Sequence, residues 1–209
     1  MSSSRSAGAR IGVVGGTFDP IHIAHLIAGS EALHRFALDR VLFVPAGQPW
    51  QKSSYSEPED RYMMTALAVE DHPAFTVSRM ELDRRGPTIT ADTMTALRDF
   101  YGRDSSLFFI SGADAVANLG TWEKLDILRD TTEIIAVNRP GFDIGRLNAA
   151  SDWPRIHTLS MPAIEISASE IRRRVRDGAP IDFLVARRTA EYIRTHGLYL
   201  GDAGAEVAS

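Results

Sequence analysis

The densest cluster of chemistry-bearing residues is Gly15-Gly16-Thr17-Phe18-Asp19-Pro20-Ile21-His22-Ile23-Ala24-His25. It follows a short apolar run at 11–14 whose β-branched residues fit a buried strand. Two glycines at a strand end let backbone approach a ligand with no Cβ in the way. Asp19 suits the N-cap of a following helix and Pro20 its first position. Such a helix start presents backbone N–H groups to an anion. The three-residue spacing then puts His22 and His25 on one helical face. Imidazole donates hydrogen bonds, and a neighbouring phosphate favours its charged form. The segment reads as a phosphate clamp. The competing readings are a plain turn with two surface histidines, or a pair of metal ligands. No third His or Cys stands nearby and no His-Glu-x-x-His occurs, so a metal set is disfavoured.

A second cluster is Ile166-Ser167-Ala168-Ser169-Glu170-Ile171-Arg172. Ser167 and Ser169 stand at or just before a predicted helix start, where hydroxyls cap or bind anions. Arg172 is three residues beyond Ser169, on the same face of the first turn. Together they offer hydroxyl, backbone and guanidinium donors to one oligophosphate. The competing reading is a simple helix cap. Arg173, Arg174 and Arg176 read as a solvated face.

The elements that must position these clusters alternate. Strands are predicted at 11–14, 41–44, 75–82, 107–110, 133–137 and 155–159. Helices are predicted at 21–36, 58–70, 92–101, 114–118, 123–129, 169–176 and 183–195, with a polar loop at 48–58. Continuous apolar strands alternating with helices imply an α/β fold, a single-domain doubly wound (Rossmann-like) parallel sheet with helices on both faces. The domain is expected to span 10–200, with a disordered N-terminus at 1–9 and a flexible tail at 201–209. Ligands in such sheets bind at the carboxyl ends of strands. That rule selects the residues after each strand: 15–25, 45–52, 111–114 and 138–141.

Composition narrows the function. The 209 residues hold no Cys, which removes disulfides, thiolate metal sites and a Cys nucleophile. A net charge of −4 disfavours a nucleic-acid partner. No apolar stretch reaches the roughly 18 residues of a membrane span, and no signal peptide is apparent, so a cytoplasmic protein is expected. The dinucleotide fingerprint, the Gly-Lys phosphate loop and the Gly-x-Ser-x-Gly elbow are absent.

Taken together the two clusters resemble those of the bacterial nicotinate-nucleotide adenylyltransferases, in the nucleotidyltransferase superfamily with a His-x-x-His signature. The resemblance covers about 10–200. The family's first motif is Gly-Gly-Thr-Phe-Asp-Pro-x-His-x-Gly-His, where this chain has Ala24 for Gly. Its late motif is Ile-Ser-Ser-Thr-x-Ile-Arg, where Ala168 replaces Ser and Ser169 replaces Thr. The stretch 88–93 matches the family's Thr-Tyr-Thr-x-Asp-Thr, with Ile89 for Tyr.

The resemblance implies ATP and nicotinate mononucleotide as substrates, and Mg²⁺ carried by the ATP phosphates. It implies catalytic roles for His22, His25 and Arg172. It places Gly15, Gly16, Thr17, Phe18, Gly112, Asp114, Ser167 and Ser169 with them against ATP. It assigns Lys52, Thr88, Thr90, Trp122 and Arg139 to the mononucleotide, Trp122 stacking on the pyridine ring. Trp122 as core and Asp114 as a helix cap are the bland alternatives. A homo-oligomer is compatible with the sequence but not indicated by it. The phosphate motifs do not separate nicotinate mononucleotide from other phosphorylated acceptors such as nicotinamide mononucleotide or phosphopantetheine. A non-catalytic nucleotide-binding module is the reading from outside the enzyme class.

Overall fold

The computed structural model describes residues 8–48, 56–138, 153 and 155–201. In chain order these form β1 (Arg10–Gly16), α1 (Ile23–Arg35), β2 (Arg40–Pro45), α2 (Pro58–Val69), β3 (Phe75–Val77), α3 (Thr90–Tyr101) and β4 (Ser106–Gly112). There follow α4 (Ala113–Ala117), α5 (Leu125–Thr131), β5 (Glu133–Asn138), β6 (Ile156–Ser160), α6 (Ala168–Arg176) and α7 (Arg187–Thr195). All six strands pair in parallel, in the order β3-β2-β1-β4-β5-β6. The chain winds outward from β1 to β3, then returns to start again beside β1 with β4. The crevice at the carboxyl ends of β1 and β4 is therefore the switch point where such sheets take ligands.

Alternation along each strand splits the core in two. Val14, Val41, Phe43, Phe108, Ile110 and Ile135 pack against Ala28 and Ala32 of α1, Met64 of α2, Ile171 of α6 and Ile193 of α7. Ile11, Val13, Leu42, Val44, Phe109 and Ile134 pack on the other face against Met94 and Leu97 of α3, Val116 of α4 and Leu128 of α5. Helices on both faces of one parallel sheet are thus as expected. No helix among the described residues is long and apolar enough to cross a membrane. The expected frayed ends fall mostly outside the described residues, although the Ala9 carbonyl accepts from Ser106 N at 2.8 Å.

Three elements differ from their sequence patterns. Helix α1 starts at Ile23 with His22 at its N-cap, so Asp19 and Pro20 precede the helix rather than opening it. Its buried face is the small-residue set Ala24, Ala28, Gly29 and Ala32, because the sheet lies close: a Cβ at Gly29 would stand 3.0 Å from the Phe43 ring. Strand β3 ends at Val77, not 82; Met80 N donates to Ser78 Oγ (3.3 Å) and Asp83 N to the Arg79 carbonyl (3.0 Å), which turns the chain back toward the sheet end. Helix α7 starts at Arg187, since Phe183 has φ 64° and a 91 % exposed side chain.

Candidate active site

Two cavities open at the carboxyl ends of β1 and β4. The larger, about 410 Å³, is lined by Gly15, Gly16, Thr17, Phe18, His22, His25, Gly112, Asp114, Ser167, Ser169 and Arg172. Every residue expected against ATP is therefore on one wall system. Residues 15 and 172 lie far apart in sequence, yet Arg172 Nη1 donates to the Asp19 carbonyl at 2.6 Å and locks α6 onto the β1–α1 turn. Ala24, where the family pattern has Gly, is buried and lines the same cavity.

The local geometry follows from close packing. A Cβ on Gly16 would lie 2.8 Å from the Phe18 ring, and one on Gly15 would lie 2.9 Å from the Phe109 ring. The glycines thus make room for two aromatic rings as well as for any ligand. Phe18 itself holds φ 52°, a left-handed conformation that costs a bulky residue about 1–3 kcal/mol. Its ring meets the His25 ring edge-on at 5.1 Å, and the His22 and His25 rings stack at 3.7 Å. His22 N donates to His25 Nδ1 at 3.2 Å. An accepting Nδ1 puts the proton of neutral His25 on Nε2, where it can be donated.

At α6 the cap is Ser167, whose Oγ accepts from Glu170 N at 3.2 Å and lies 3.3 Å from Ser169 Oγ. Arg173 and Arg174 both pair with Glu170, at 2.7 and 3.0 Å, so they form the solvated face expected of them. Asp114 stands in the first turn of α4, whose N-cap is Gly112, so the carboxylate is not the cap.

The second cavity, about 230 Å³, shares Gly15, Gly16, Thr17, Ser111 and Ala115 with the first and adds Thr88, Ile89, Thr90 and Trp122. Trp122 is half-buried and meets Phe109 edge-on at 5.6 Å. It lines the cavity and packs against the core. Thr88 is fixed by exchange with Gln48: Thr88 N donates to the Gln48 carbonyl (3.1 Å) and Gln48 N to Thr88 Oγ1 (3.3 Å). Lys52 and Arg139 lie outside the described residues.

Three features were not anticipated from sequence. Arg61 of α2 has no exposed surface and donates to the carbonyls of Thr17 (2.9 Å), Ala46 (2.5 Å) and Gly47 (3.1 Å), tying the ends of β1 and β2 together. Its burial pulls the guanidinium pKa down, and the Asp19 carboxylate works against that. The buried Asp19 carboxylate accepts from Ser56 Oγ and from Tyr199 Oη (2.6 Å), which docks the C-terminal segment on the turn. Burial beside that carboxylate pushes the Tyr199 hydroxyl far up, so it stays protonated and donates to Asp19. Glu81 is buried on the wall of the Trp122 cavity.

The chain has known relatives. The model of the cytidylyltransferase-like family matches residues 13–174. The probable nicotinate-nucleotide adenylyltransferase of Saccharopolyspora erythraea is 45 % identical over 197 residues, covering 92 % of this chain and 91 % of its own. That of Acidothermus cellulolyticus is 46 % identical over 199 residues, covering 91 % and 94 %. The chain belongs to the nicotinate-nucleotide adenylyltransferase family. Its fold agrees with the Plasmodium falciparum nicotinic acid mononucleotide adenylyltransferase complexed with NaAD, at TM-score 0.76 and 20 % identity over 91 % of this chain and 97 % of the other. In this family member the signature residues that begin at Gly15 and end at Arg172 border one cavity.

Proposed function

We propose that the two cavities hold the two substrates of one adenylyl transfer. The chain moves AMP from ATP to nicotinate mononucleotide, giving nicotinate adenine dinucleotide and pyrophosphate for NAD biosynthesis. The observation that carries this reading is the shared wall: Gly15, Gly16 and Thr17 border both the histidine–arginine cavity and the Trp122 cavity. A group bound in one can thus reach a group bound in the other. The names of relatives about 45 % identical over nine-tenths of the chain support the same acceptor.

In this reaction a phosphate oxygen of the mononucleotide attacks the α-phosphorus of ATP, and the bond to the pyrophosphate oxygen breaks. A phosphomonoester's second pKa is about 6, so the nucleophile is already ionised near neutral pH and needs no general base. What remains is to align two anions and to stabilise charge on the α-phosphoryl and the leaving group. We assign that work to His22, His25 and Arg172, with the Ser169 hydroxyl and the N–H groups that open α1 and α6. Gly15, Gly16, Thr17, Phe18, Gly112, Asp114 and Ser167 form the rest of the ATP wall. Trp122, with Thr88 and Thr90, forms the wall for the pyridine nucleotide, where an indole face suits an electron-poor ring. Lys52 and Arg139 are proposed as contacts to substrate phosphates on their sequence positions alone.

Among the described residues no three His, Cys, Asp or Glu side chains gather as a metal-ligand set. We propose that Mg²⁺ arrives on ATP as part of the substrate, where it neutralises phosphate charge. The test is pyrophosphate release from ATP with a panel of acceptors. Release with nicotinate mononucleotide, and a product of the dinucleotide's mass, are expected. Release with phosphopantetheine alone would reassign the acceptor. ATP binding without release for any acceptor would make the chain a silent nucleotide-binding module.

A further inference from the structure

Glu81 is a carboxyl that the reaction above does not use. It sits in the turn after β3 and lines the Trp122 cavity with only 7 % exposure. Oε1 accepts from Thr93 Oγ1 of α3 at 2.6 Å, and Arg84 Nη1 donates to the same hydroxyl at 3.3 Å. The backbone there is held tightly, since a Cβ at Gly47 would stand 2.1 Å from the Glu81 carbonyl.

The charged surroundings are few. Arg84, from the same loop, favours the carboxylate. On α3, Asp92 is paired with Lys124 at 2.7 Å. On the β2 side Gly47 offers only backbone, and Arg61 behind it is committed to carbonyls. Glu123 is the other acidic residue on the cavity wall. Burial outweighs the hydrogen bonds from Thr93 and Thr88 and the pull of Arg84, and pushes Glu81 up to about 7.

We propose that the charge on Glu81, a buried carboxyl on the wall of the acceptor cavity, makes the acid-versus-amide selectivity of that cavity depend on pH. Carrying its proton, it admits a mononucleotide with a ring carboxylate; without it, the two carboxylates repel, while the uncharged amide analogue is little affected. This deepens the acceptor assignment above and rests on it. Two like charges facing each other within one such cavity, at an effective dielectric of about 20 and reduced by screening, correspond to a penalty on the order of tenfold.

The experiment measures kcat/KM for nicotinate and nicotinamide mononucleotides from pH 6 to 9, with calorimetric binding of each. The ratio of acid to amide cancels the titration of the phosphate they share. In the wild type the ratio should fall about tenfold with a midpoint near 7. In Glu81→Gln it should stay high and flat. In Arg84→Ala the midpoint should move to higher pH, because a charge favouring the carboxylate is gone. A wild-type ratio that stays flat, or a fall that survives in Glu81→Gln, overturns the assignment. The wild-type profile decides the sign even if a variant folds poorly. If both mononucleotides react but the ratio is flat, only the Glu81 assignment fails. If neither binds nor reacts, the acceptor reading fails and takes this one with it.

Discussion

Replacing Arg61 by Met removes a guanidinium while keeping most of the side chain's length. In the folded protein that guanidinium has no exposed surface and serves three carbonyls, those of Thr17, Ala46 and Gly47. A buried acceptor left without its donor costs about 1–3 kcal/mol. A hydrogen bond from a charged donor is worth about 1.5–3 kcal/mol. Some rehydration of the three carbonyls puts the expected loss near 4 kcal/mol. A domain stable by about 5–15 kcal/mol survives this at low temperature, with Tm lowered by about 8–16 °C at roughly 2–4 °C per kcal/mol. The functional effect is separate. Thr17 and Ala46 line the Trp122 cavity and Gly47 abuts the Glu81 backbone. Misplacement by about 1 Å can cost a hundredfold, so kcat/KM for the mononucleotide should fall about ten- to a hundredfold. Arg61→Lys keeps the charge but not the fork, and should fall between. The control is Thr189→Val, which deletes a buried hydrogen bond to the Met64 carbonyl (3.0 Å) on the same helix but away from both cavities. It should cost about 1 kcal/mol and leave kcat/KM unchanged. Urea unfolding and pyrophosphate release measure the two quantities. An Arg61→Met enzyme within about 1 kcal/mol of wild type, or one with normal kcat/KM, would refute the reasoning.

His22→Ala should lower kcat at least about a hundredfold with far-ultraviolet circular dichroism unchanged, as for loss of one preorganised donor; near-normal turnover would remove His22 from the mechanism. Trp122→Ala should raise KM for the mononucleotide far more than for ATP, and equal effects on both would count against stacking. Gly47→Ala drives a Cβ into the Glu81 carbonyl, so it should destabilise by about 2 kcal/mol or more and raise KM for the mononucleotide before that for ATP. Glu81 adds a pH signature to stability. Its pKa rises from 4.5 unfolded to about 7 folded, so its contribution is complete below about 4.5 and is lost as pH climbs through about 7. Relative to Glu81→Gln, the wild type should lose up to about 3 kcal/mol between pH 4.5 and 8.5 in denaturant titrations; parallel profiles would show that burial does not hold the proton.

The parts of the site readable from sequence are those whose chemistry is local. A Gly-Gly-Thr turn at a strand end, two histidines three residues apart and a Ser-x-Ser-x-x-Arg helix start each announce donors to an anion without reference to the rest of the chain. The strands were legible for the same reason, since runs such as 107–110 are apolar throughout and fit only a sheet covered on both faces. The start of α1 was not. Asp19 followed by Pro20 has every local mark of a helix opening. Its carboxylate is instead claimed by Ser56 and Tyr199, 37 and 180 residues away. Tertiary partners overrode the local preference, and the N-cap passed to His22.

Arg61 and Glu81 show the other limit. In sequence each is an ordinary charge in a polar stretch, and charges are seldom fully buried. What gives them a role is removal from water, which sequence spacing does not report. A trace of the signal exists for Arg61: it lies three and four residues before Met64 and Thr65, and with Val69 these make the buried face of α2. A charge in phase with a helix's inward stripe must find carbonyls or a carboxylate inside, or the helix would not dock. Here the carbonyls it finds are at the ends of β1 and β2, where the sheet's topology already puts the ligand. The buried charge that stabilises the fold and the wall that receives the substrate are therefore one arrangement, and a substitution in α2 should be felt first in the acceptor cavity.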